Sequence, residues 1–75
     1  MPSLRKRSVL LSGHATSIAL EPEFWAVLEE MAQARGGSLA GLIGRIDAQR
    51  GERALASACR VAALKHAREA ASPER

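Results

Sequence analysis

The side chains able to do chemistry are few and thinly spread. One cysteine, Cys59, closes no disulfide within the chain, and with only His14 and His66 beside it there is no four-ligand zinc set. Cys59 and His66 stand seven residues apart, two helical turns, which offers two ligands at most; packing is the simpler use of both. Ser12, His14 and Asp47 form a triad on paper. Such a triad needs a cleft, an oxyanion hole and a substrate pocket, and 75 residues leave no room to build them. The expectation is a protein that is not an enzyme, with no metal and no cofactor. What remains is charge: Arg5-Lys6-Arg7 gathers three of the 11 basic residues, set against 8 acids, and the first 20 residues carry no acid. The formal net charge is +3 and the sequence pI is near 10. A run of this kind either grips a polyanion or is simply solvated.

Positioning these groups falls to one small domain. Hydrophobic residues make up 47% of the chain, but fifteen of them are alanine, with one Phe, one Trp and no Tyr. A chain this short buries only about 60–65% of the surface its unfolded form exposes, so a lone core is marginal. With no disulfide or metal to staple it, self-association is the remedy left. No apolar run approaches the roughly 18 residues of a membrane span. The basic flank at Met1 to Arg7 resembles the start of a signal peptide, yet the apolar stretch after it breaks at once at Ser12-Gly13-His14. The reading is a soluble cytoplasmic chain without membrane contact.

Hydrophobic period then divides the chain. From His14 to Leu20, Thr16, Ile18 and Leu20 take one side and Ala15, Ser17 and Ala19 the other, the alternation of a half-buried strand. Residues 1–13 form a basic arm in which Ser8 to Leu11 is either a second short strand, turning at Ser12-Gly13, or a loose extension. Pro22 suits the first turn of a helix flanked by Glu21 and Glu23. Phe24, Val27, Leu28 and Met31 then fall at i, i+3, i+4 and i+7, one apolar stripe. Gly36-Gly37 ends that helix, and Ser38 caps a second running from Leu39 to about Gln49, with its stripe at Leu39, Leu42, Ile43 and Ile46. Gly41 and Gly44 lie off the stripe and imply close approach by a neighbour. An alanine-rich helix follows within residues 51–71, beginning near Arg53. Its apolar positions cover more than half its circumference, so it needs cover on several sides. Residues 72–75 are read as a frayed tail.

A strand, a helix, a Gly-Gly-Ser turn and a second helix resemble the ribbon-helix-helix family of the MetJ, Arc and CopG type. The words Arg7-Ser-Val, Ser12-Gly-His, Leu20-Glu-Pro-Glu-Phe-Trp and Arg45-Ile-Asp-Ala are similar to those of a subgroup of small, largely uncharacterised bacterial proteins with this domain. The resemblance covers residues 7 to 66, with the domain proper at 14–50. It implies a mainly α fold with one short N-terminal strand, an intertwined homodimer whose strands pair antiparallel between subunits, and an extra C-terminal helix. A strand with no partner in its own chain is otherwise hard to explain.

Under that resemblance the dimer core comprises Ile18, Leu20, Phe24, Val27, Leu28, Met31, Leu39, Leu42, Ile43 and Ile46. The two-stranded ribbon would lie in the major groove of duplex DNA, directing Ala15, Ser17 and Ala19 at base edges. Ser17 can hydrogen-bond a base, whereas the alanines offer only contact with a thymine methyl. Arg5, Lys6 and Arg7, with Ser38 and Leu39 at the second helix start, would meet phosphates. The implied function is a transcriptional repressor. The alternative is a dimerisation module of antitoxin type whose C-terminal helix docks a protein partner.

Overall fold

A computed structural model describes residues 4–71. Strands β1 (Arg5–Leu11) and β2 (His14–Leu20) form an antiparallel hairpin, followed by helices α1 (Pro22–Ala34), α2 (Leu39–Gln49) and α3 (Leu55–Ala71). The tail expected at 72–75 and the first three residues of the arm lie outside the described residues.

The hairpin decides the arm in favour of its strand reading, so that two strands stand where the fold class named one, and it corrects the expectation that β2 has no partner in its own chain. Ser12 and Gly13 both hold positive φ, 51° and 82°. That is the two-residue turn whose twist matches the strands on either side of it. The ladder runs from Leu11↔His14 to Arg5↔Leu20, so β1 begins three residues before Ser8. Strand alternation gives the hairpin an inner face, with Arg5, Arg7, Val9 and Leu11 opposite Leu20, Ile18, Thr16 and His14. Its outer face sets Lys6, Ser8 and Leu10 opposite Ala19, Ser17 and Ala15.

Helix α1 starts at its proline and ends in two glycines: the Gly36 N–H donates to the Gln33 carbonyl and the Gly37 N–H to the Ala32 carbonyl, a Schellman close with Gly36 at φ 73°. Its most buried residues are Trp25, Leu28 and Ala32. Within one chain the stripe read from the sequence is joined by Trp25 and Ala32 and only partly covered. Leu28 is sealed, while Phe24, Val27 and Met31 remain half-buried. Trp25 joins it because of β1, since Trp25 covers that strand and donates its indole Nε1–H to the Arg5 carbonyl at 2.9 Å.

Helix α2 begins where its cap dictates, with Ser38 Oγ accepting the Gly41 N–H at 3.0 Å. A Cβ at Gly41 would stand 3.2 Å from that hydroxyl, so the cap itself is the close neighbour there; Gly44 has nothing within 4 Å, against expectation. Helix α3 starts at Leu55, later than its composition implies, because Gly51 adopts φ 62° and turns the chain. Arg50 ties this turn down, its Nε donating to Asp47 Oδ1 at 2.6 Å and its Nη1 to the Arg53 carbonyl at 2.7 Å. Helix α3 packs on α1, α2 and β2 and buries Ala58, Cys59 and Ala63. Leu20, Leu28, Ile43 and Cys59 are the largest sealed side chains, one from β2 and one from each helix. Burial pushes the Cys59 thiol above its ordinary range, with Arg60 opposing and Asp47 adding to the shift.

Candidate nucleic-acid interface

The hairpin's outer face is built mostly of small side chains and is free of acid. Lys6, Ser8, Leu10, Ala15 and Ser17 are exposed there, with Ala19 half-buried. Ala15, Ser17 and Ala19 thus share one surface with Lys6 and Ser8, two polar residues that the strand pattern of β2 alone does not reveal. Leu10, 64% exposed, stands opposite Ala15 near the hairpin end.

Alternation divides the basic run. Lys6 lies on the outer face, while Arg5 and Arg7 belong to the inner one. Arg7 is engaged twice: its Nη1 donates to Glu29 Oε2 at 3.0 Å, and its guanidinium lies 4.8 Å from the centre of the Trp25 ring. Arg5 is exposed and lends its backbone carbonyl to Trp25.

Ser38 and Leu39 open α2, whose first N–H groups have no partner within the helix apart from the one that Ser38 Oγ accepts. Around them Arg35 and Arg45, with Gly37, Ser38 and Gly41, line a hollow of about 190 Å³. Those two arginines are functional candidates that the sequence reading missed. The available signal was their spacing, since cations three residues before and seven residues after a serine cap both return to that helix start.

Of the two acids at the start of α1, Glu23 is exposed and Glu21 is paired. Arg60 Nε donates to Glu21 Oε1 at 3.0 Å, and this bond, followed by the backbone, holds the Glu21 carboxyl below its ordinary range. The Arg60 guanidinium also lies 5.8 Å from the Phe24 ring centre. Ser12 and His14 sit exposed at the hairpin turn, whereas the Asp47 carboxylate is bound by Arg50 on α2. Among the described residues no group of three or more His, Cys, Asp or Glu could hold a metal ion. No helix there is long and apolar enough to cross a membrane.

The residues assigned to a dimer core fall into two sets. Ile18, Leu20, Leu28, Leu42 and Ile43 are buried within one chain. Phe24, Val27, Met31, Leu39 and Ile46 are only partly covered. A groove of about 490 Å³ runs between α3 and the ends of α1 and α2, with Met31, Ile46, Val61 and Ala62 on its walls and Arg35, Arg53 and Lys65 at its margin.

A family model described as a ribbon-helix-helix domain matches residues 4–67. Among solved structures, an uncharacterized protein from Bordetella pertussis Tohama I is similar, at 39% identity and a TM-score of 0.77. The match covers 95% of this chain and 63% of that one, so the chain spans less than two thirds of that protein's length. No curated protein matches.

Proposed function

The chain belongs to the ribbon-helix-helix domain family, and from that premise we propose that it acts as a homodimer that binds duplex DNA and represses transcription by occupying operator half-sites. Proteins of this family are generally DNA-binding regulators or antitoxins and form homodimers. The observation that carries the finer reading is the hairpin's acid-free outer face, which joins Lys6 and Ser8 to Ser17, Ala15 and Ala19.

The geometry supports a specific dimer. In an antiparallel ladder closed by a two-residue turn, bonded pairs alternate with unbonded ones. Starting from Leu11↔His14, the unbonded positions on β2 are Ala15, Ser17 and Ala19, whose backbone N–H and C=O groups face its open edge. Two such edges pair into a four-stranded sheet, β1-β2 followed by the partner's β2-β1. The half-covered Phe24, Val27, Met31, Leu39 and Ile46 supply apolar surface for the twin to seal.

Strands spaced about 4.8 Å apart put the two outer strands about 14 Å from each other. The major groove is about 12 Å wide. Such a sheet straddles the groove: both copies of β2 lie over the base edges, and both copies of β1 lie over the flanking phosphates, where Lys6 and Ser8 meet them. Ser17 is the one side chain on the outer face of β2 able to hydrogen-bond a base. The start of α2, flanked by Arg35 and Arg45, adds a backbone anchor with Ser38 and Leu39. An anisotropy titration with duplex DNA at two salt concentrations tests the reading; failure to bind any duplex at low salt rejects it.

The groove along α3 favours a second reading, a dimerisation module of antitoxin type whose α3 docks a protein partner. Val61→Glu separates the two. If the twin fills the groove the dimer weakens, and if the groove serves another protein the dimer stays intact.

A further inference from the structure

The geometry points to Glu29 as a gate on a phosphate site beside β1: its carboxylate withholds Arg7 from the nucleic-acid backbone and so sets the affinity of the hairpin for polyanions. This rests on the DNA-binding reading and adds to it a site and the residue that restrains it.

The site is a hollow of about 510 Å³, lined by Arg5, Lys6, Arg7, Pro22, Trp25 and Glu29. Two cations of the inner face, Arg5 and Arg7, meet one carboxylate across it, with the indole as one wall and Lys6 bordering it from the strand between them. A groove of that make-up suits a phosphodiester, which brings charge and hydrogen-bond acceptors but demands no base. In the free protein one of the cations is already committed. Arg7 lies over Trp25, which is 4% exposed and fixed by its bond to the Arg5 carbonyl, and Glu29 completes the contact from one turn further along α1. The side chains of Arg7 and Glu29 are 42% and 49% exposed, so water reaches the pair and an incoming phosphate meets both its charges. A carboxylate at this place repels the very ligand its partner would attract.

Trp25 keeps the guanidinium ordered whichever anion it faces. Removing the Glu29 charge therefore leaves Arg7 in place and adds it to the phosphate-binding set. Glu30 provides the control, being the next residue on α1, exposed, and of equal charge.

The experiment compares Glu29→Gln, Glu30→Gln, Arg7→Ala and the double variant Arg7→Ala with Glu29→Gln, each checked for folding by a thermal melt. Binding to a labelled duplex and to heparin is read across a salt series. Glu29→Gln is expected to bind roughly two- to fivefold more tightly per protomer and to steepen the log K against log salt slope by about 0.9 per protomer. Glu30→Gln shows no slope change, and the double variant loses the gain. Equal behaviour of Glu29→Gln and Glu30→Gln, or a gain that survives in the double variant, overturns the gate. If the wild type binds no duplex, the DNA reading fails by itself, and the heparin series still decides whether Glu29 restrains Arg7.

Discussion

Lys6→Ala measures how the hairpin meets a polyanion. Lys6 stands on the outer face opposite Ala19, while Arg7, the next residue, is turned inward to Glu29. In the proposed dimer two copies of Lys6 would each neutralise one phosphate. Each neutralised phosphate contributes about 0.9 to the slope of log K against log salt, so the variant loses about 1.8 from that slope. Between about 50 and 200 mM salt this changes the ratio of wild-type to variant affinity by about twelvefold, with the two converging at high salt. Anisotropy titrations of a fluorescent duplex at four or five salt concentrations give both slopes. Arg7→Ala, run in parallel, should leave the slope nearly unchanged while lowering the melting temperature, because it loosens β1 on Trp25. A Lys6→Ala slope equal to wild type, together with a shallower Arg7→Ala slope, would refute the division of the basic run by strand alternation.

Other outcomes follow from the same structure. Met31→Glu places a charge in the half-covered stripe of α1 and should shift the sedimenting species from dimer toward monomer in ultracentrifugation. Ser38→Ala removes the bond to the Gly41 N–H and should cost about 1 kcal/mol, a fall of roughly 4–8 °C in melting temperature for a domain of this size; Ser38→Asp should keep the cap and the melting temperature but weaken DNA binding by repelling phosphate. Glu21 has its folded-state pKa held below the ordinary 4.5 by Arg60, so its contribution is present above that value and lost as pH falls through the folded pKa. Glu21→Gln should therefore lower stability slightly at neutral pH, flatten the acid limb of the stability profile below about pH 4.5, and converge with the wild type in acid. Gly13→Ala forces a side chain to φ 82° and should cost about 1–2 kcal/mol, read as a lower melting temperature.

How much could be read from the sequence depended on whether one local signal decided the matter. Helix α2 was legible to the residue because Ser38, the apolar spacing and the break before Gly51 agree with one another. Strand β1 was half legible: Val9 to Leu11 carried a strand signal, but the alternation of Arg5, Lys6 and Arg7 is invisible when all three are cations. Missing that strand left Trp25 out of the buried set of α1, since Trp25 has to face something and the sequence did not show what. Arg35 and Arg45 went unnoticed because neither is unusual alone; only the Schellman turn and the start of α2 bring them to one hollow. The beginning of α3 was displaced because alanine continues a helical pattern through a turn that Gly51 and Arg50 in fact impose.

Two neighbouring aromatics on α1 engage arginines and so narrow the set left for the proposed DNA contact. Phe24 and Trp25 sit about 100° apart around the helix, and each lies beneath an arginine paired to a glutamate: Arg60 with Glu21 over Phe24, and Arg7 with Glu29 over Trp25. One clamp holds α3 and the other holds β1, so α1 fixes both flanking elements through adjacent residues. Arg7 in this way holds the hairpin, and Arg60 holds α3. On the proposed reading the groups left to meet DNA are Arg5, Lys6 and Ser8 on β1, Ser17 on β2, and Arg35 and Arg45 beside the α2 cap. Of these only Ser17 lies over base edges in the proposed dimer, and one hydroxyl discriminates weakly because it can donate or accept. Sequence preference must then arise from groove shape and from the fixed spacing of the two α2 anchors, both of which are read through the phosphate backbone. A duplex whose groove is widened or narrowed at constant base contacts should therefore change affinity more than a substitution beneath Ser17. Paired titrations on such duplexes would reverse this conclusion if the single base change proved the larger effect.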